Sequence, residues 1–244
     1  MSVTKSLPVL ALAAAGLLSL GACSSESGDA VDTSGDSPSS ATAATPAVAS
    51  EVVLSEAEAP VGYEYSDVAE ALLQGQGDED YQDVIAVLAE ISGTNTTEPA
   101  QCGALIPTAV DILTLIEQDP QATAGTEFAD AEGNVISVFA TTNESVERAP
   151  ADLTECATFT RTATDPAVDL QIVYRAEPVA VEVNGADTQS AARIVSDQDV
   201  AEPAQSTFSG TVDGVYFQIY TSQALGDQQL TDMAQAQVDK IRHR

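Results

Sequence analysis

The spacing of apolar residues changes near Pro120, and this change separates a helical part of the chain from a part rich in strands. Before Pro120, apolar residues recur every three or four positions, the period of a helix with one buried face. Ser66 stands at the N-cap position of the first such stretch. The pattern predicts helices at residues 67–74 and 80–91, and a third that begins near Pro99, restarts at Pro107 and ends at Asp119-Pro120.

Beyond Pro120, apolar and polar residues alternate in short runs, as they do in half-buried strands. Asp213-Gly214 is the strongest hairpin signal, because this dipeptide accepts the positive φ angles of a type I′ turn. Glu132-Gly133-Asn134 and Asn184-Gly185 mark two more turns. The predicted strands are residues 126–130, 135–142, 168–176, 179–183, 191–195, 208–212 and 215–221.

Two further helices are expected after Pro120. Residues 144–160, interrupted by Pro150, place Leu153 and Cys156 on one side, and residues 227–242 carry a continuous apolar stripe. The sequence therefore predicts an α+β fold, with an antiparallel β-sheet of about six strands flanked by N-terminal helices, a middle helix and a C-terminal helix.

The first 22 residues have the organisation of a bacterial signal peptide. Lys5 precedes an apolar run, residues 7–18, that is shorter than a membrane-spanning helix. The run leads to Leu20-Gly21-Ala22-Cys23, which resembles the lipobox of bacterial lipoproteins. We expect cleavage after Ala22 and acylation of Cys23, typically with palmitate, so that the protein is lipid-anchored on the extracytoplasmic face of the cell membrane. An ordinary cleaved signal peptide with an incidental Cys23 is the alternative.

The residues that follow Cys23 are poor in apolar side chains. Residues 24–50 consist almost entirely of Ser, Ala, Thr, Gly, Pro and Asp, a composition that cannot form a core. The predicted organisation is a signal peptide at residues 1–22, a lipidated flexible tether at 23–60 and a folded extracytoplasmic domain at 61–244. The last segment is long enough for one hydrophobic core.

The chain is strongly acidic, with 38 Asp and Glu against 8 Lys and Arg and a net charge of −30. Removal of residues 1–22 takes away one lysine and no acidic residue, so the mature net charge is −31. Such a surface repels nucleic acid and anionic lipid headgroups, and we expect no nucleic-acid partner. Solubility outside the cell accounts for the charge; cationic partners or divalent ions are the alternative.

Three cysteines have to be assigned. With Cys23 assigned to the lipid, Cys102 and Cys156 remain as a pair in an oxidising compartment, where disulfides persist. We expect them to form a disulfide, and two free thiols are the alternative. A metal site is disfavoured because the chain has no Cys-x-x-Cys motif and its only histidine, His243, is the penultimate residue.

No catalytic constellation is recognisable in the sequence. The P-loop and Gly-x-Gly-x-x-Gly motifs are absent, and the acidic run at 78–83 lacks the glycine and the final glutamate of an EF-hand loop. With 38 acidic residues, a pair of carboxylates placed for glycoside hydrolysis stays an open alternative. The chain has no tryptophan that could stack on a sugar, which disfavours it. Tyr216 and Tyr220 share a strand face and are candidates to line a cleft, with sheet packing as the alternative. We expect no catalytic residues, no metal and no cofactor.

Two short motifs carry a family resemblance. Pro99-Ala-Gln-Cys102 opens a helix after a threonine-rich loop, and Leu153-Thr-Glu-Cys156 is followed by Phe159, with strands between the two motifs. Over residues 63–242 this arrangement resembles the extracellular sensor-like domains of actinobacterial lipoproteins and of the mycobacterial receptor kinase PknH. The resemblance implies an antiparallel sheet flanked by helices, a disulfide between Cys102 and Cys156, and a ligand-sensing or partner-sensing role. The sequence departs from this family at Leu153, where a tryptophan is common.

The expected function is therefore that of a membrane-anchored extracytoplasmic lipoprotein. It would act as a non-enzymatic module that binds a small molecule, a wall component or an envelope protein. Two alternatives stay open: a cell-envelope hydrolase or wall-modifying enzyme, and a purely structural envelope lipoprotein.

The lipobox generates the first testable prediction. Cys23→Ala removes the only thiol that can accept the lipid, so the protein should appear in the medium or remain an unprocessed precursor. Fractionation of membranes, with mass spectrometry of the mature N-terminus, measures this. An unmodified Cys23 on the mature wild-type protein would contradict the anchor.

Overall fold

The computed structural model describes residues 49–68, 70, 95–165, 168–197 and 204–244. Within these residues the protein is an α+β structure built on one sheet of nine antiparallel strands. The predicted fold class is confirmed in this form, and the sheet is larger than the six strands expected. No helix among the described residues is long and apolar enough to cross a membrane.

Three helices and three 3₁₀ turns accompany the sheet in the described ranges. The helices are α1 (Ala49–Val52), α2 (Ala109–Gln118) and α3 (Asp227–Arg242), and the 3₁₀ turns are Glu56–Glu58, Ala100–Leu105 and Thr154–Cys156. The strands are β1 (Tyr63–Asp67), β2 (Asn95–Glu98), β3 (Thr123–Asp130), β4 (Val135–Thr141), β5 (Thr158–Asp165), β6 (Val168–Pro178), β7 (Thr188–Ser196), β8 (Gln205–Val212) and β9 (Val215–Thr221).

The sheet has the strand order β1-β3-β4-β9-β8-β7-β6-β5-β2, which places β9 near its centre. Two of the predicted hairpin turns are confirmed, the turn between β8 and β9 and the turn between β3 and β4. Asp213 and Gly214 have φ angles of 48° and 80° between β8 and β9, and Gly133 has a φ of 86° between β3 and β4. Both turns need positive φ angles, which explains the Asp-Gly and Gly residues there.

One face of the sheet, which we name the apolar face, carries Phe128, Phe208, Phe217 and Ile219. Helix α3 covers it with the side chains predicted from its stripe. The predicted bounds of this helix are confirmed at Asp227–Arg242, and each stripe residue is at most 5% exposed. The stripe consists of Leu230, Met233, Ala234, Val238 and Ile241.

The N-terminal segment at residues 49–54 also belongs to this core. Ala49, Val52, Val53 and Leu54 are buried against the apolar face and α3, although the sequence assigned them to the tether. The folded part of the chain therefore begins no later than Ala49. The segment has too few apolar residues to show a periodic pattern. On composition it was therefore assigned to the tether, together with the Ser/Ala/Thr-rich residues before it.

Gln237 holds the N-terminal segment in place. Its side chain is fully buried within the α3 stripe; Oε1 accepts a hydrogen bond from the Leu54 N–H (3.1 Å), and Nε2 donates to the Val52 carbonyl (2.5 Å). One glutamine thus satisfies two backbone groups of a segment that has no strand partner.

An ion pair closes the same junction nearer to solvent. Lys240 Nζ donates to Glu58 Oε2 (2.9 Å) and to Ser55 Oγ (2.9 Å). Burial acts to raise the pKa of Glu58, but hydrogen bonds from Ser55 and Lys240 outweigh it and hold this pKa at about 2. Helix α3 therefore binds the N-terminal segment through apolar, neutral polar and charged contacts.

The other face of the sheet, which we name the polar face, carries Arg161, Tyr216 and Gln218 on its strands. Helix α2 packs on it through Ile112 and Ile116, which contact Phe139 and Tyr216. Gly125 lets the helix approach closely, because an added Cβ would lie 3.3 Å from the Ile116 Cδ1 atom. Thr108 caps the helix, its Oγ1 accepting from the Asp111 N–H at 3.1 Å.

Three strands replace predicted helical or loop residues. Tyr63–Asp67, which includes the expected N-cap Ser66, is edge strand β1, paired with β3. Asn95–Glu98, read as loop, is edge strand β2, paired with β5. The predicted middle helix at 144–160 is wrong: it contains only the 3₁₀ turn Thr154–Cys156, and β5 begins at Thr158.

The predicted strand at 179–183 is also wrong. It follows Pro178 as an irregular segment in which Val181 and Val183 are buried in the core of the apolar face. The Val183 N–H donates to the Gln189 side chain (3.0 Å) rather than to a neighbouring strand. The predicted helix at 80–91 lies outside the described residues, as do most of 67–74, the signal peptide and Cys23.

The second prediction concerns Gln237. Gln237→Ala leaves the Leu54 N–H and the Val52 carbonyl buried without partners, and each such group costs about 1–3 kcal/mol. The free energy of unfolding, measured in urea, should fall by about 2–4 kcal/mol. Gln228→Ala, an exposed change on the same helix, is the matched control and should cost less than about 0.5 kcal/mol. Equal effects of the two changes would contradict this role.

Candidate functional site

A cleft of about 710 Å³ opens between the polar face, helix α2 and the 3₁₀ turn Ala100–Leu105. We name it the central cleft. Its apolar wall comes from α2, from the sheet and from the loop after β4, and its polar groups come from β2, β5, β9, α2 and the same loop. The lining includes the apolar residues Val110, Ile112, Leu115, Phe139 and Val146 and the polar residues Asn95, Thr97, Asp111, Glu147, Arg161 and Gln218.

Gln218 fixes one part of this lining. It is 1% exposed, and its Nε2 donates to the Ala104 carbonyl (2.8 Å) and to Thr207 Oγ1 (3.0 Å). The first bond joins the centre of the sheet to the 3₁₀ turn on the other side of the cleft. Gln218 therefore sets the distance between two walls of the cleft.

Tyr216 extends the same hydrogen-bond network. Its hydroxyl donates to Gln218 Oε1 (3.2 Å) and accepts from the Ala149 N–H (3.1 Å). The Arg148 guanidinium lies 5.6 Å from the centre of the Tyr216 ring. Burial raises the pKa of Tyr216, and hydrogen bonds and the Arg148 charge oppose this only in part. The hydroxyl thus stays protonated and ties the loop after β4 to the sheet.

Arg161 is the basic residue of the cleft lining. It is half-buried on β5, and its Nη2 donates to the Ile106 carbonyl (2.9 Å). Its Nε is buried and has no hydrogen-bond partner among the described residues. No carboxylate of the described residues lies within 4.0 Å of it. A residue that lines the cleft therefore has a guanidinium with unused donors.

The disulfide between Cys102 and Cys156 holds the part of the cleft wall that the 3₁₀ turn Ala100–Leu105 forms. Cys102 and Cys156 are joined with their Cα atoms 5.5 Å apart, which confirms the expected pair. Both are fully buried, in a cluster with Leu105 and Phe159. Because the turn that carries Cys102 also contributes Ala100, Gly103 and Ala104 to the cleft, the bond anchors that wall to the sheet.

A smaller pocket of about 290 Å³ lies beside Tyr216 on the same face. Its lining is rich in hydroxyl groups from β7, β8 and β9, including Thr188, Ser190, Ser209 and Thr211. The Ser190 hydroxyl is buried and has no hydrogen-bond partner in the part of the chain that the structure describes. Tyr216 lines this pocket and also belongs to the hydrogen-bond network of Gln218.

The prediction that Tyr216 and Tyr220 share a strand face is confirmed, and one of these two tyrosines lines a pocket. Tyr216 and Tyr220 share the polar face, and Tyr216 lines the smaller pocket while Tyr220 packs beside the disulfide cluster. Tyr174 stacks on Phe159, with 5.3 Å between ring centres. In the ranges with described coordinates, no group of three or more His, Cys, Asp or Glu side chains is arranged to hold a metal.

Sequence reasoning missed Arg161 and Gln218. Arg161 lies in Thr158–Asp165, a threonine-rich alternating run whose start was assigned to a helix, so its side of the sheet was not recognised. Gln218 is one polar residue within a strand of apolar residues. That interruption is the signal that could have identified it, because a buried polar side chain needs a partner.

Comparisons with known proteins leave the family open. No protein-family model matches this chain, and no curated protein matches it. Its structure is similar to that of an uncharacterised protein from Mycobacterium smegmatis, an Rv0999 ortholog, with a TM-score of 0.41 and 12% identity. That similarity covers 75% of this chain and 90% of the other. At this TM-score it carries no argument about function.

The third prediction concerns the disulfide. Replacing Cys102 and Cys156 together by alanine removes a bridge across 54 residues, a constraint worth about 4 kcal/mol in the chain-entropy model. The free energy of unfolding should fall by about 2–5 kcal/mol. As a control, reductant should destabilise the wild type and leave the double variant unchanged. Two reactive thiols at Cys102 and Cys156 in unfolded, non-reduced wild-type protein would contradict the bond.

Proposed function

We propose that this protein is a lipid-anchored extracytoplasmic binding module and that the central cleft is its ligand site. The observation that carries the proposal is the cleft itself, which is lined by an apolar wall from α2 and Phe139 and by Arg161, a basic residue with no acidic partner among the described residues. Apolar walls with a few placed polar groups are typical of small-molecule sites, and 710 Å³ lies within their usual range of about 300–1,000 Å³.

The construction of the cleft supports binding without large rearrangement. Its walls are a nine-stranded sheet, a capped helix and a turn held by a disulfide, and Gln218 links the sheet to that turn. Preformed sites lose less conformational entropy when a ligand binds. A preformed site of this kind favours ligands whose shape matches that of the cleft.

The anchor remains part of the proposal. Lipidation at Cys23 would attach the chain to the extracytoplasmic face of the membrane. Since the folded part begins no later than Ala49, the linking residues are 24–48 rather than 24–60. A chain of that composition and length would reach about 25–30 Å from the membrane, about the diameter of a small domain.

The hydrolase and the purely structural lipoprotein are competing readings. An enzyme would convert a bound molecule, whereas a binding module would release it unchanged, and a structural lipoprotein would bind nothing in the cleft. One experiment on the mature chain can therefore separate all three.

The fourth prediction is that the cleft retains a small molecule. The chain from Ser24 onward, folded in an oxidising compartment, is mixed with a small-molecule extract of the source bacterium's envelope. Native mass spectrometry should then show a retained compound, released unchanged on unfolding. A chemically altered compound would favour the hydrolase, and no retained compound would favour the structural lipoprotein.

Blocking variants locate the site. Ala104→Trp and Thr114→Trp each fill the cleft from a different wall, so both should abolish retention. Ala131→Trp, at the exposed turn between β3 and β4, is the matched control and should retain the compound. Retention by both blocked variants would show that the central cleft is not the site.

A further inference from the structure

Arg161 differs from the other half-buried basic residues of the described chain, Arg193 and Lys240, in having no acidic partner among the described residues. Arg175 pairs with Asp197 at 2.9 Å, Arg193 with Asp227 at 3.3 Å and Lys240 with Glu58 at 2.9 Å. The chain contains 38 acidic residues, so a half-buried guanidinium with no carboxylate of the described residues within 4.0 Å stands out. A charge in this position is unfavourable unless something compensates it.

The free atoms of Arg161 define what could compensate its charge. Nη2 gives one hydrogen to the Ile106 carbonyl, which leaves its second hydrogen unused. Nη1 makes no hydrogen bond to the described residues, and unlike Nε it is not buried. Because Arg161 lines the cleft, the two donors at the terminal edge of its guanidinium, on Nη1 and Nη2, are available to a ligand there. Two parallel N–H donors match the two oxygens of a carboxylate.

Acidic side chains of the same cleft restrict the rest of the ligand. Asp111 and Glu147 line it at exposed positions, and the whole chain carries a large negative charge. A simple anion would be repelled there, whereas a ligand that also carries an ammonium group has no net charge and can place this group near the acids. The apolar wall of Val110, Leu115 and Phe139 suits aliphatic or aromatic side chains.

We propose that the central cleft binds a short apolar peptide with free ends, and that Arg161 receives its terminal carboxylate. This inference rests on the proposed function, because it names the ligand class of the same cleft. A carboxylate supplies the missing counter-charge, an ammonium group offsets the repulsion by Asp111 and Glu147, and the side chains lie against the apolar wall.

The test uses pools of tripeptides built from Ala, Val, Leu and Phe, each prepared with free ends and as the C-terminal carboxamide. Binding is measured by saturation-transfer NMR and titration with the wild type, Arg161→Gln and Arg161→Lys. Arg175→Gln removes the same charge from an exposed position on neighbouring β6 and is the matched control. Circular dichroism checks that every variant is folded.

The free acids should bind the wild type and Arg175→Gln about tenfold or more tightly than the carboxamides, as expected for a charge-assisted pair of hydrogen bonds. Arg161→Gln should remove this preference. Arg161→Lys should keep part of it, because the lysine ammonium group supplies the positive charge but not the two parallel N–H donors of a guanidinium. The comparison of acid with carboxamide on the wild type needs no variant, so it stays decisive even where a variant fails to fold.

Several outcomes would overturn the inference: equal binding of acids and carboxamides to the wild type, an unchanged preference in folded Arg161→Gln, or no peptide binding. In each of them the proposed function still stands if the envelope compound is retained and both blocking variants lose it. Failure of the proposed function is recognised separately, by retention in Ala104→Trp and Thr114→Trp.

Discussion

The structure depends on the alternation of side chains along β9, near the centre of the sheet. Val215, Phe217 and Ile219 point to the apolar face, and Tyr216 and Gln218 point to the polar face. Since successive strand residues lie on opposite faces, a shift of one residue in this pairing would exchange the two sets. The hydrophobic core and the floor of the central cleft are thus set by one register.

The two faces are covered in different ways. Helix α3 covers the apolar face by burial of a regular stripe, a contact that is favourable in proportion to the apolar area removed from water. On the polar face, smaller elements are held by specific bonds: the Cys102–Cys156 disulfide, the Gln218 bond to Ala104 and the Tyr216 bond to Ala149. Between these elements, the described residues leave space for the cleft.

Long elements with a strong period were predictable, and the polar strands at the β2 end of the sheet were not. Helix α3 and the hairpin at Asp213-Gly214 follow from local patterns, which neighbouring residues reinforce. Strand β2 has no apolar alternation and exists because its backbone pairs with β5. The first residues of strand β5 fit the predicted helix that precedes them, and only the eight-residue pairing with β6 identifies them as a strand. In both cases tertiary pairing overrides weak local preference.

The sequence by itself determined the signal peptide pattern, the strong acidity, the α+β class and the availability of one cysteine pair. Each of these depends on composition or on neighbouring residues, which the chain displays directly. Only the tertiary structure decided that residues 49–54 join the core, that Gln218 is a buried bridge and that Arg161 has no carboxylate partner among the described residues. These facts depend on contacts between residues distant in sequence, such as the 183 positions between Leu54 and Gln237, and no local pattern encodes which groups meet across such an interval.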